Sequence, residues 1–206
     1  MNPTGDFSRF QDDILSRYRD QTIPITFGVL IADHRQREAR EYILNYLNGF
    51  DKLSGNYIDF FIPGYTEINY RNGSLVKIPS KPNKKFYFSQ ELFDGFVEGF
   101  EKYFEVEYVF TPMLVLIELQ TNDYINARKI VLELDSEFSC IKRSGLLFKR
   151  IFTIAQQYVA LDEFSYNLQQ TYMKGAYLDS FINALDNSVV TEIRKQHKHV
   201  RYFAVR

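Results

Sequence analysis

Apolar positions along this chain change their period several times, and each change marks an element boundary. Phe7, Phe10, Ile14, Leu15 and Tyr18 recur at helical spacing, which predicts a short amphipathic helix over residues 6–19 that is broken before Pro24. Ile25 to Ala32 (ITFGVLIA) is an almost continuous apolar run of strand length, the pattern of a strand covered on both faces and therefore central in its sheet. Asp33, with Gln36 three residues on, reads as a capping box for a helix whose buried stripe is Ala39, Ile43, Tyr46, Leu47 and Phe50, with Gly49 as its stop. Tyr57 to Ile62 (YIDFFI) is a second strand, closed by Pro63-Gly64. Residues 25–62 thus form a β-α-β unit whose crossover is expected to be right-handed.

Residues 65–88 read as an insertion. Asn72-Gly73 between short β-prone segments is a hairpin signal, and Lys81-Pro82-Asn83-Lys84-Lys85 is a polar loop. Ser89 then caps a helix with Leu92, Phe93, Phe96, Val97, Phe100 and Phe104 on one side, and Phe88 and Phe93 stand where a hydrophobic staple would form. Thr111-Pro112 leads directly into Met113 to Leu119. Proline cannot donate to a sheet ladder, so it belongs at a strand's first residue. After a turn at Thr121-Asn122-Asp123, Ile130, Leu132 and Leu134 alternate with Lys129 and Glu133 as in a half-buried antiparallel strand, with a helix over 123–137 as the other reading. From Cys140 onward the pattern is helical, over 139–158 and 162–196, with Gly175 as a break.

A chain of 206 residues suits one domain with an appendage and buries roughly 70% of its unfolded surface. The expected division is an α/β domain over 1–140, carrying the 65–88 insertion, and a helical segment over 141–206. With 19 Phe, 15 Tyr and no Trp, its core should be built from aromatic rings. A formal net charge of -1 argues against a whole-surface attraction to nucleic acid or acidic lipid. The lone Cys140 excludes an intramolecular disulfide, the start MNPTGDFSRFQDDIL places acids where a signal peptide needs an apolar core, and no apolar run approaches the ~20 residues of a membrane span. A soluble cytoplasmic protein without membrane contact is the expectation.

The order of ITFGVLIA, the helix from Arg37, YIDFFI, the helix from Ser89, FTPMLVLIEL and ARKIVLEL resembles the thioredoxin-like fold over about residues 25–140. That resemblance implies a cis-proline at Pro112 opening a central strand, and it implies that Thr111, the residue before it, offers backbone groups to an extended peptide or thiol ligand. Where the family carries its cysteine pair this chain has Asp33-His34-Arg35-Gln36-Arg37, so thiol-disulfide exchange is not expected.

Ligands of open α/β sheets bind beyond the carboxyl ends of strands, where helix N-termini attract anions. His34, Arg35 and Arg37 occupy that place and form a candidate anion or phosphate site, set against a bland reading in which Asp33 caps the helix and the charges are solvated. There is no Gly-rich phosphate loop. Pro63-Gly64-Tyr65 is the segment that topology would bring beside this turn. His34 could act as a base with Asp33 or Asp59, but no nucleophile motif accompanies it, no catalytic residue is assigned, and His34, His197, His199 and Cys140 make no recognisable zinc set. No cofactor is implied. The basic end (Arg194, Lys195, Lys198, Arg201, Arg206) reads as a helix terminus favouring its own dipole, with nucleic-acid contact as the lesser alternative. The expected function is therefore a redox-inactive binding or assembly module acting on another protein through Thr111, Pro112 and the His34 turn. The alternative is an enzyme or effector that binds a small phosphorylated anion at residues 33–37.

Overall fold

The computed structural model describes residues 2–18, 25–37, 39–43, 58–69, 74–76, 85–120, 123–134, 149, 152–153, 161, 190–193 and 200–205. It is a mixed α/β structure built on two sheets. The larger comprises β1 (Asn2–Thr4), β2 (Ile25–Ile31), β3 (Asp59–Pro63), β7 (Met113–Gln120), β8 (Asp123–Leu134), β9 (Val190–Ile193) and β10 (Val200–Val205), in the order β1-β3-β2-β7-β8-β10-β9. The smaller comprises β4 (Tyr65–Thr66), β5 (Ser74–Val76) and β6 (Phe86–Phe88), in the order β4-β6-β5. Among the described residues, α1 (Phe7–Tyr18) and α2 (Gln90–Phe104) are the full α-helices and accompany a short π-helical stretch at Ala39–Ile43. Among the described residues no helix is long and apolar enough to cross a membrane.

Strand β2 is central, as its continuous apolar run requires. It pairs in parallel with β3 (Gly28 opposite Phe60) and antiparallel with β7 (Phe27 opposite Ile117), and β7 in turn pairs antiparallel with β8. Residues opposite one another share a face, so Phe27, Phe61, Ile117 and Lys129 lie on one side of the sheet and Gly28, Phe60, Glu118 and Arg128 on the other. Helices α1 and α2 cover the first side. Phe10 packs edge-on against Phe27 (6.0 Å), Phe61 (5.0 Å) and Phe96 (5.2 Å), and Phe96, Phe100 and Phe104 continue the cluster along α2. Each such ring pair is worth about 0.5–1.5 kcal/mol beyond the area it buries. On the second side the described contacts come from two residues further along the chain. Phe152 meets Phe60 edge-on at 4.9 Å, and Glu118, 2% exposed, accepts a hydrogen bond from the Leu161 backbone N–H at 2.7 Å. Phe60 lies so close over Gly28 that a Cβ there would stand 2.2 Å from its ring, which is why the run breaks its bulk at that residue.

Helix α2 forms as its sequence pattern requires. Ser89 caps it in an extended conformation and accepts from Leu92 N–H at 3.4 Å, Phe88 and Phe93 close the staple with ring centroids 5.7 Å apart, and Glu105 ends it in the left-handed region (φ 56°). The apolar face of α1 is likewise the one that packs, through Phe10 and Ile14.

Several expectations change. Residues 123–134 are a strand, but not a half-exposed one: Lys129 is 2% exposed because its side of the sheet is the one covered by α1 and α2. The strand β5 that follows Asn72-Gly73 pairs with β6, not with β4 before it, and the turn itself lies outside the described residues. The helical reading of the C-terminal segment is corrected at residues 190–193 and 200–205. Both are strands, β10 running parallel to β8 and antiparallel to β9, because residues 200–205 complete the far side of β8. Lys149, Phe152, Thr153 and Leu161 are helical, and the remainder of 139–189 lies outside the described residues. So do Tyr46, Leu47, Phe50 and most of the β-α-β crossover. Strand β1, which pairs in parallel with β3 at the sheet's edge, gives no signal in the sequence, being three residues long with a proline at its centre.

Candidate functional site

Beyond the carboxyl end of β2 the chain turns sharply, and Asp33 organises the turn. Its Oδ1 accepts the Arg35 backbone N–H at 2.8 Å and its carbonyl accepts Gln36 N–H at 3.0 Å, a local side-chain-supported turn of the kind aspartate favours. Asp33 is only 4% exposed, so its charge requires a partner. Arg35 supplies it: Nε reaches both carboxylate oxygens (2.9 and 2.8 Å) and Nη2 lies 2.6 Å from Oδ2. The same guanidinium then spans to Asp94 on α2, with Nη2 2.7 Å from Oδ1, while its carbon sits 5.8 Å over the Phe93 ring. One guanidinium thus balances two carboxylates, and its hydrogen bond to Asp33 holds it firmly in the protonated form.

The other candidates divide. Arg37 points outward, 75% exposed, with Nε 2.7 Å from Glu41 one turn on. Arg40 donates to the carbonyls of His34 (2.7 Å) and Arg35 (2.8 Å), satisfying the turn's acceptors. The capping box does not form, since Gln36 sends its Nε2 across to the Phe110 carbonyl at 2.7 Å instead of back to Asp33. His34 is half-buried between the Phe88 ring (5.2 Å) and Tyr65, whose Oη stands 3.5 Å from Nδ1. Burial, and then the Arg40 charge, push the His34 pKa down, with Asp33 opposing. Its two candidate carboxylates are engaged elsewhere: Asp33 with Arg35, and Asp59 at the opposite end of the β2–β3 pair with Tyr18 and Arg17. The arrangement that would make His34 an oriented base is therefore not assembled.

Tyr65 does arrive beside the turn, carried there by Gly64, whose φ of 81° makes the reversal out of β3 and whose missing Cβ leaves room for Phe88 and Phe93. Residues 108–112 close the cluster. Tyr108 is 8% exposed and its backbone N–H is tied to Glu101 Oε1 at 2.6 Å. Its hydroxyl is buried with the Gln36 side chain as its hydrogen-bonding neighbour, although no bond of good geometry is made and Gln36 Nε2 donates to Phe110 O. Burial, and then the Asp33 charge, keep the phenol protonated. Phe110 adopts a left-handed φ of 57° and is 78% exposed, its ring 5.4 Å from that of Tyr108. Thr111 is half-buried and Pro112 buried at the head of β7. Pro112 is trans, correcting the cis bond that the resemblance implied, since no described peptide bond is cis. The reversal into β7 is made at Phe110 instead.

The structure thus gathers His34, Arg35, Thr111 and Pro112 at one rim and leaves Arg37 outside it. Gln36, Asp94, Tyr108 and Phe110 belong to the same rim. Their roles were not legible because each depends on a partner far off along the chain or on an unusual backbone angle, and neither leaves a periodic trace. Among the described residues no three His, Cys, Asp or Glu side chains group as metal ligands, and His197, His199 and Cys140 lie outside those residues. In comparison with known proteins, the chain matches no family model, no curated protein and no solved structure.

Proposed function

We propose that the chain is a redox-inactive, thioredoxin-like binding or assembly module that holds a segment of another protein against the rim formed by Phe110, Thr111, Pro112 and the His34–Arg35 turn. One observation carries the reading: Phe110, a bulky apolar residue, is kept in a left-handed conformation and held 78% exposed beside a fully built ionic cluster. A non-glycine residue at such an angle costs on the order of 1–3 kcal/mol, and strain of this kind concentrates at binding surfaces. Supporting it are the pairing order β3-β2-β7-β8, with β2 and β3 parallel and β7 and β8 antiparallel, and a turn after β2 that offers Asp33 to Arg37 in place of thiols. The phosphorylated-anion alternative draws less support, because Arg35 already faces two carboxylates and Arg37 faces Glu41.

Displayed random peptides selected on the wild-type chain test the reading. Enriched peptides should lose about 10-fold in affinity to Phe110→Ala, the scale of a modest aromatic anchor. They should be unaffected by Leu75→Ala, an exposed apolar residue of the small sheet. The chain should also fail to reduce insulin disulfides. Equal binding to wild type and Phe110→Ala would remove the rim as the contact surface.

A further inference from the structure

We infer that β1 is a detachable guard strand: it opens from the sheet on its own, and while closed it keeps the edge of β3 from pairing with the β3 edge of a second copy of this chain.

β1 covers β3 with three residues in the parallel register Asn2–Phe61, Pro3–Ile62 and Thr4–Pro63. A proline is tolerated inside an edge strand where its missing N–H points away from the sheet. Pro3 therefore faces outward, the ladder falls to Asn2 and Thr4, and Ile62, opposite Pro3, turns its own N–H and C=O toward β1. The side-chain ties are long. Asn2 Nδ2 stands 3.4 Å from Asp59 Oδ1 and Arg17 Nη2 stands 3.5 Å from Asn2 Oδ1, whereas α1 holds the same carboxylate through Tyr18 at 2.7 Å. Of the three β1 side chains only Thr4 is buried, while the helix that follows is fixed in the core by Phe10 and Ile14. β1 thus has far less holding it than the element that tethers it.

The same proline makes β1 a poor template for a further strand, since its outer edge lacks a donor at the centre. β3 carries no such protection on the side it turns to β1. Its sequence, DFFIP, is apolar after the first residue, and with β1 gone the backbone groups of Phe60 and Ile62 stand on an open edge. Two such edges are complementary to one another about a two-fold axis. Paired antiparallel about Phe61, Phe60 of each copy lies opposite Ile62 of the other and exchanges both backbone bonds with it. Asp59 then meets Pro63, so the strand's one charge faces no like charge. That fit of the edge to itself selects a second copy as the occupant.

The test is native-state hydrogen exchange on the full chain, read at the Ile62 amide against that of Leu116, whose strand β7 is paired on both sides. Ile62 should exchange about 100-fold or more faster than Leu116, at a rate that does not respond to low urea, the mark of an opening that exposes little surface. The full-length double variant Asn2→Gly/Thr4→Gly removes both inward-tied side chains and adds backbone freedom. Its Ile62 exchange should rise about 5–30-fold, the effect of losing one or two modest contacts, with Leu116 unchanged. Sedimentation should show this variant associating more strongly than wild type, and raising its concentration should slow Ile62 exchange again as the second copy takes the N–H. Wild-type Ile62 exchange that shares the urea dependence of Leu116 would overturn the detachable strand, whether or not the variant folds. A variant that speeds Leu116 as much as Ile62 would do the same. Association that leaves Ile62 exchanging fast, or no association at all, would overturn the guard role.

Discussion

Two carboxylates stand at opposite ends of the β2–β3 pair, each beside an arginine and a tyrosine, yet the two clusters are finished differently. Asp59 opens β3 with its side chain 40% exposed, and accepts from Tyr18 Oη (2.7 Å), Arg17 Nη1 (3.2 Å) and Asn2 Nδ2 (3.4 Å). Asn2 belongs to β1 and the other two donors to α1, so this end fastens β1 and α1 to the sheet. Asp33 has its side chain 6% exposed and receives a single guanidinium, which it shares with Asp94. Where water can reach a carboxylate, imperfect pairing costs little. Where it cannot, one arginine must neutralise the charge.

The sharpest way to break this comparison is to remove each arginine. Arg35→Ala strands a buried carboxylate and should lower unfolding free energy by about 3 kcal/mol, near the low end for breaking a buried pair. Arg17→Ala, in an exposed pair, should cost less than about 1 kcal/mol. Urea midpoints measure both, and equal losses would mean that Asp33 is solvated and the contrast void. The bland reading of a fully solvated charge is not what Arg35 shows, since its guanidinium lies between Asp33 and Asp94.

The tyrosines sharpen the comparison through the size of the effect. Tyr18→Phe removes a hydrogen bond to a carboxylate and should destabilise by about 1.5–3 kcal/mol, whereas Tyr108→Phe, whose hydroxyl makes no hydrogen bond of good geometry, should change stability by less than about 1 kcal/mol. Equal losses would mean that the two phenols are held alike.

The smallest effect is a pH dependence confined to the Asp33 end. The His34 pKa is held below its ordinary 6.5, by burial first, so the folded state binds the proton less readily than the unfolded chain. Its contribution is fully present above pH 6.5 and is lost as pH falls from there through the lowered folded value. Since the ring is half-exposed, the loss should stay below about 1 kcal/mol. Melting temperatures of wild type and His34→Asn, compared between about pH 7.5 and 5, should converge on the acidic side, and a parallel pair of curves would count against a neutral buried His34.

Elements whose reasons are local were readable from the chain. The Phe88–Phe93 staple, the Ser89 cap and the Phe96–Phe100–Phe104 face of α2 are all fixed within the one stretch from Phe88 to Phe104, and the centrality of β2 follows from its almost continuous apolar run. The solvent-facing Lys129 was a reading of the same local kind that failed, since that residue is 2% exposed, while the turn at Asn72-Gly73 lies outside the described residues. A turn signal does not choose which strand its neighbour pairs with, and alternation does not say which face a helix will cover.

What the sequence by itself determined about this protein is its α/β character, the helix over residues 90–104, the strands around residues 25–31, 59–63 and 113–120, and the lack of a cysteine pair after β2, because periodicity, capping and composition act between neighbours in the chain; the strand over 123–134, for which a helix had stood as the other reading, was decided by its pairing with β7. Only the tertiary structure decided that residues 200–205 return to extend the sheet beside β8, that Arg35 is spent between Asp33 and Asp94, and that Tyr108 is buried beside Gln36. Those outcomes turn on partners that the chain holds far apart: Asp94 reaches Arg35 from another element, and β10 meets β8 only at the chain's far end. At such separations a charge, a strand edge or a hydroxyl takes its meaning from what folding places next to it.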